Sequence, residues 1–307
     1  MNPTHFSRPI RSMVAQVNSW VLVCVLGFSV FCAPVHAEAP GTGLLFQYAT
    51  INSLLQGFYD GQLRMEDLAT HGTMGLGTFN ALDGEMIALD GEFYQIPSTG
   101  KVLRVASTLQ TPFAVVCRFD NQVPTHTVPP GRSYRALQEF LMALIEKKNL
   151  PHAFRMDGLF HEVKTRSVPR QTPPYVPLAE VAAQQTTFQF GPVAGTMIGF
   201  WIPEYMAGLN VPGFHFHFMT DDRTQGGHVL DVTTETVQAR VNELPEFHLT
   251  LPTTKEFSDV DLTGKHKQEL DKVEMYCAGR EVPLRPEEVE DLLERTVERP
   301  VFALSAA

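Results

Sequence analysis

The sequence predicts an α+β fold in which duplicated strand–helix–multistrand units form two mixed or antiparallel sheets with peripheral helices. Three observations carry this reading. Strand-like runs and a helical pattern recur in the same order on either side of Pro151. The connections between runs are short and rich in turn residues, which favours antiparallel neighbours. The helical patterns are few, and each offers a single apolar face.

Residues 1–37 stand apart as an expected signal peptide. Arg8 and Arg11 precede an apolar run, Trp20 to Cys32, and Val35-His36-Ala37 offers a small-residue cleavage site. The run is short for a bilayer span of about 20 residues, so no membrane anchor is expected to remain, and the destination is periplasmic or extracellular. Cleavage after Ala37 removes two arginines and takes the formal charge of the 307-residue chain from -10 to -12. It also removes Cys24 and Cys32. Cys117 and Cys277 are then left either to pair in an oxidising compartment or to stand as two separate buried thiols.

The N-terminal α+β half is read as residues 38–150. A strand begins at Leu44-Leu45-Phe46, and Ile51, Leu54, Leu55 and Phe58 follow at helical spacing, closed by Gly61. Short β-prone runs come next, at 74–79, 85–89, 92–96, 102–106 and 113–119, with Asp83-Gly84 and Asp90-Gly91 as turn signals. Ser133 caps an amphipathic helix that places Leu137, Leu141, Leu144 and Ile145 on one face. The C-terminal α+β half, residues 151–276, restarts with a strand at 154–168, a Pro-rich link and a short helix at 178–184. Strands are read at 194–201, 214–219, 228–232, 236–241 and 247–251. Helical patterns around 270–275 and 289–297 end the chain, and residues 277–307 are read as an acidic helical extension.

Twenty-four Lys+Arg stand against 34 Asp+Glu, with no basic stripe, so no nucleic-acid partner is expected. The Gly72–Gly77 segment has the wrong glycine order for a dinucleotide fingerprint and reads as a close-packed strand. No Gly-x-Ser-x-Gly nucleophile elbow occurs.

Chemistry concentrates in residues 212–231. On a strand, His215 and His217 share one face, while Phe214, Phe216 and Phe218 occupy the other. If the following turn is symmetric about the Asp222–Arg223 bond, His228 lies opposite His217, about 5 Å away at Cβ. Three imidazoles with an open fourth position suit a catalytic metal, and the ligand set favours zinc only weakly over iron, copper or manganese. A cupin-like metalloenzyme would also place a His-x-His pair on a strand, but its downstream Glu is replaced here by Asp221 and Asp222. A non-catalytic exported zinc-binding protein would use the same histidines.

The segments GTFNALDGEMIALDGEFYQI (77–96), KTRSVPRQ (164–171), GFWIPEYMAGLNVPGFHFHFMTDDRTQGGHVLD (199–231) and LDKVE (270–274) resemble the alpha-acetolactate decarboxylase family. The resemblance runs from about Leu44 to Glu274. It implies a Zn²⁺ held by His215, His217 and His228, an active-site Arg166, glutamates at Glu85 and Glu274, and Thr78 beside them. It also implies a homodimer and a small anionic keto-acid substrate, 2-hydroxy-2-methyl-3-oxobutanoate, converted to acetoin and carbon dioxide through a metal-stabilised enediolate. Neither thiamine diphosphate nor pyridoxal phosphate is then required as an electron sink. Arg155 competes with Arg166, and Glu92 with Glu85; both are expected to be structural. Glu246 and His248 receive no role.

Overall fold

The computed structural model describes residues 41–264 and 266–275, without the side chains of residues 271, 272, 274 and 275. The expected signal peptide, Cys277 and the extension from 277 lie outside the described residues. In chain order the first elements are β1 (Leu44–Tyr48), α1 (Ile51–Leu55), β2 (Leu63–Arg64), α2 (Met65–His71), β3 (Met74–Thr78), β4 (Glu85–Leu89) and β5 (Glu92–Ile96). Then come β6 (Leu103–Arg104), β7 (Gln110–Thr111), β8 (Ala114–Cys117), β9 (His126–Val128) and α3 (Tyr134–Leu144). The second half contributes β10 (His152–Ser167), α4 (Leu178–Ala182), β11 (Thr186–Phe190), β12 (Val193–Ile202), β13 (Gly213–Thr220) and β14 (Gly226–Glu243). The last elements are β15 (Glu246–Thr250), α5 (Lys255–Asp259) and α6 (Lys267–Met275).

Two sheets dominate, as an α+β fold requires. The first runs β15-β1-β8-β3-β4-β5-β6, and the second β11-β10-β12-β13-β14-β9, with β10 also paired to β14. Pairings are antiparallel except β1 with β15. That parallel pair joins residues some 200 positions apart. In the other direction, β9 from the first half edges the second sheet against β14. Each sheet therefore borrows one strand across Pro151.

Period-2 patterning explains the layers. On β4, Ile87 and Leu89 face the second sheet and join a core with Ile198, Phe200 and Met219, while Met86 and Ala88 face outward under α2. Phe216 and Phe218 face the opposite side of the second sheet, beneath Leu137 and Leu141 of α3. Ser133 caps α3 as expected, its hydroxyl accepting from the Ala136 amide. Asp90 and Gly91, both at positive φ, turn β4 into β5, as a type I′ hairpin demands. Cys117 is buried in the core between the sheets and forms no disulfide among the described residues.

Several elements depart from the expected boundaries. The strands expected at 228–232 and 236–241 are one 18-residue strand, because irregularities in its pairing absorb the polar segment between them. Only Leu103 and Arg104 of the run 102–106 pair. α2, with two buried residues and no side-chain cap, carries too weak an apolar stripe to announce itself. β11 is half-exposed and alternates poorly.

Candidate metal centre

The hairpin of β13 and β14 is symmetric about the Asp222–Arg223 bond: His217 pairs with His228, Phe218 with Gly227 and Met219 with Gly226. His228 in turn pairs with Arg166 on β10. Three neighbouring strands thus place His217, His228 and Arg166 in one row, and paired residues project from the same face. His215, two positions before His217, completes the cluster. One donor atom from each histidine lies within 4.8 Å of the others. All three rings are buried, at 9%, 1% and 2% exposure.

The first sheet supplies the opposite wall. Glu85 opens β4 on the same face as Ile87 and Leu89, and Thr78 pairs with it on β3. Glu85 Oε2 lies 3.6 Å from His217 Nε2, and Glu85 Oε1 lies 3.7 Å from an Arg166 guanidinium nitrogen. Thr78 donates its hydroxyl to the Gly84 carbonyl at 2.6 Å, which ties β3 to the turn immediately before Glu85. Thr78, Glu85, Arg166 and the three histidines line one cleft with Ile51, Leu54, Leu82 and other apolar side chains.

The histidines have the character of ligands. His217 Nδ1 faces the Met86 carbonyl at 2.9 Å. A carbonyl only accepts, so Nδ1 carries the proton and Nε2 turns its lone pair toward the cleft. That Nε2 is buried without a hydrogen-bond partner, which is costly in a protein interior unless a ligand satisfies it. His215 Nε2 and His228 Nδ1 approach to 3.0 Å. A tetrahedral site with bonds of about 2.0–2.1 Å separates its nitrogens by roughly 3.3–3.4 Å, close to the separation of this pair.

Burial, reinforced by the Arg166 guanidinium, pushes His215 down to about 3. His217 lies well below the imidazole range through burial first, then the influence of His215, with the Met86 carbonyl opposing. His228 is lowered by burial, then by Arg166 and the other two rings. Neutral imidazole is the form that binds a metal, so the residues present fit one.

The other residues singled out from sequence separate cleanly. Glu274 belongs to α6, whose Leu270 and Val273 pack into the core with Leu54 and Leu178; its side chain lies outside the described residues. Arg155 donates to Asp157 at 3.0 Å and to Asp90 at 2.6 Å, away from the cleft. Glu92 pairs with Arg104 on an exposed edge. Sequence reasoning missed the Met86 carbonyl and the apolar liners. A backbone carbonyl carries no residue signature, and a cleft-facing leucine reads like any core leucine.

Fold and site together define a double-sheet α+β protein with a buried three-histidine candidate metal centre flanked by an arginine and a glutamate. The profile of the alpha-acetolactate decarboxylase family matches residues 45–264; the chain belongs to that family and is an enzyme. The alpha-acetolactate decarboxylase of Brevibacillus brevis is 41% identical over 269 residues, covering 82% of this chain and 94% of the relative. That of Methanosarcina mazei is 43% identical over 231 residues, covering 75% and 80%. The crystal structure of alpha-acetolactate decarboxylase from Bacillus subtilis strain 168 matches with a TM-score of 0.73 at 35% identity, covering 75% of this chain and 99% of that one.

Proposed function

We propose that this enzyme decarboxylates 2-acetolactate to acetoin and carbon dioxide, with Zn²⁺ held by His215, His217 and His228. The observation that carries the proposal is the row His217–His228–Arg166 across three strands, faced by Glu85 from the other sheet. Bound there, zinc would supply a Lewis acid that neutralises charge developing on the substrate's oxygens.

The substrate is a β-keto acid, so losing carbon dioxide leaves an electron pair that flows into the ketone oxygen as an enediolate. Arg166 presents a planar fork of donors suited to the carboxylate before it leaves. Guanidinium scarcely gives up a proton, so Arg166 holds rather than protonates. Glu85 lies within 4 Å of both Arg166 and His217, placed to orient the substrate hydroxyl and to relay a proton to one face of the reacting carbon. Thr78 fixes the backbone that carries Glu85. Glu274, from α6, is assigned to the same machinery on the family resemblance. The apolar liners exclude bulk water, which strengthens these interactions.

Export, signal removal and homodimerisation belong to the same proposal, supported by the N-terminal run and the family resemblance; among the described residues no helix is long and apolar enough to cross a membrane. The test is direct. Zinc-loaded protein incubated with 2-acetolactate should release acetoin and carbon dioxide in equal amounts, and chelation should stop it. Protein that binds zinc and forms no acetoin would remove the enzymatic assignment of substrate.

A further inference from the structure

Between Thr78 and Glu85 the chain makes a turn whose backbone is unusual. Ala81 (φ 62°, ψ 23°) and Leu82 (φ 50°) are consecutive non-glycine residues in the left-handed region. Such a pair is disfavoured and persists only where its surroundings over-determine it. Here they do. The Ala81 amide donates to the Tyr59 carbonyl at 2.8 Å and reaches Asp60 Oδ1 at 3.2 Å, while the Gln171 amide donates to the Ala81 carbonyl at 2.7 Å. Asn80 and Gly61 exchange two hydrogen bonds of 2.9 Å. The Gly84 amide donates to the Leu82 carbonyl at 2.9 Å.

The result is that Leu82, 2% exposed, is pressed into the cleft that holds Thr78, Glu85, Arg166 and the histidines. The other leucines of that wall, Leu54 and Leu178, sit on the short helices α1 and α4. The turn that carries Leu82 is held by hydrogen bonds from two separate segments, residues 59–61 and Gln171. A wall discriminates against a larger ligand only if it does not yield, and this turn is fastened to both segments.

We propose that Leu82, held by the strained 80–82 turn, is a specificity-determining residue that limits the size of the alkyl group carried by the substrate's reacting carbons. The inference rests on the substrate class proposed above. It concerns which 2-hydroxy-3-oxo acids are accepted, whereas the polar residues govern the chemistry itself.

The experiment compares two substrates, 2-acetolactate and its homologue with ethyl in place of methyl at the hydroxyl-bearing carbon. One methylene in an apolar pocket changes kcat/KM by about 10- to 200-fold. Leu82→Ala should therefore raise the ethyl-to-methyl ratio of kcat/KM by about tenfold or more. Asn80→Ala leaves the leucine in place and loosens its fastening; it should raise the same ratio by a smaller factor and lower the Tm. If Leu82 were only core filling, both variants would lose thermal stability while the ratio stayed within twofold of wild type, and that result would overturn the proposal. Should Leu82→Ala fail to fold, an unchanged ratio in Asn80→Ala overturns it equally. Wild-type protein that converts neither acid would overturn the substrate assignment and this inference together, whereas a wild type active on 2-acetolactate with an unmoved ratio in the variants would overturn only this one.

Discussion

Arg155 and Arg166 lie on the same strand, eleven residues apart, and their fates differ completely. Arg155 is consumed locally: Asp157 and Asp90 take its donors, and Arg240 and Thr196 complete the arrangement around Asp157. It ties the second sheet to the β4–β5 turn of the first. Arg166 lies beside the histidine cluster, 3.7 Å from Glu85 and 4% exposed. Simple alternation along a strand would send residues an odd number apart to opposite faces. The register shows why these two share one. Pairing passes from Phe160 with Thr234 to Glu162 with Thr233, so His161 is an extra residue on β10. Its effect is visible in the core: Phe154, Met156 and Phe160 pack under α3 before it, and Val163 after it. A β-bulge re-aims every residue beyond it, and this one delivers Arg166 to the cleft.

The contrast can be broken most severely by removing what Arg166 faces. His217→Ala should abolish stoichiometric zinc, measured by metal analysis, and lower acetoin formation by about 10³-fold or more; full activity without metal would defeat the Lewis-acid role. Arg166→Ala should keep its zinc and lose about 10²- to 10³-fold in kcat/KM, the usual cost of deleting a group that stabilises developing charge. Near-normal kinetics would take Arg166 out of the reaction. Gly227→Ala probes the spacing between β14 and β10. A Cβ there would stand 2.5 Å from the Arg166 carbonyl oxygen, at φ +144°. The strand must shift, and kcat/KM should fall about 10- to 100-fold with both side chains intact, because small misplacements of catalytic groups are expensive. The smallest catalytic effect belongs to Arg155→Ala. Calorimetry should show a loss of about 1 kcal/mol from the broken pairs with Asp90 and Asp157, since Asp157 keeps Arg240 and Thr196, while kcat stays within twofold; a large fall in kcat at unchanged stability would erase the distinction between the two arginines.

Much of this was legible in residues 212–231. The His-x-His spacing, the polar turn and its symmetry anticipated the pairing of His217 with His228 that the structure contains. The Asp90-Gly91 hairpin and the Ser133 cap were equally readable, since each depends on neighbours within a few positions. The strand exchange was not. Nothing within Glu246–Thr250 says that it pairs in parallel with β1, because that choice is made by a partner 200 residues away. Nor does the sequence mark Leu82 as a wall of the cleft, since the left-handed turn that carries it is held at Ala81 by Tyr59 and Gln171.

By itself, then, the sequence determined the three-histidine cluster. Strand periodicity and a short symmetric turn are local rules, and they bring His215, His217 and His228 together whatever else the chain does. Tertiary structure alone decided that Arg166 and Glu85 meet there. Glu85 arrives from another sheet, and Arg166 is aimed by a bulge whose position depends on how β10 registers against β14. A bulge is a property of two paired strands, so neither strand's sequence contains it.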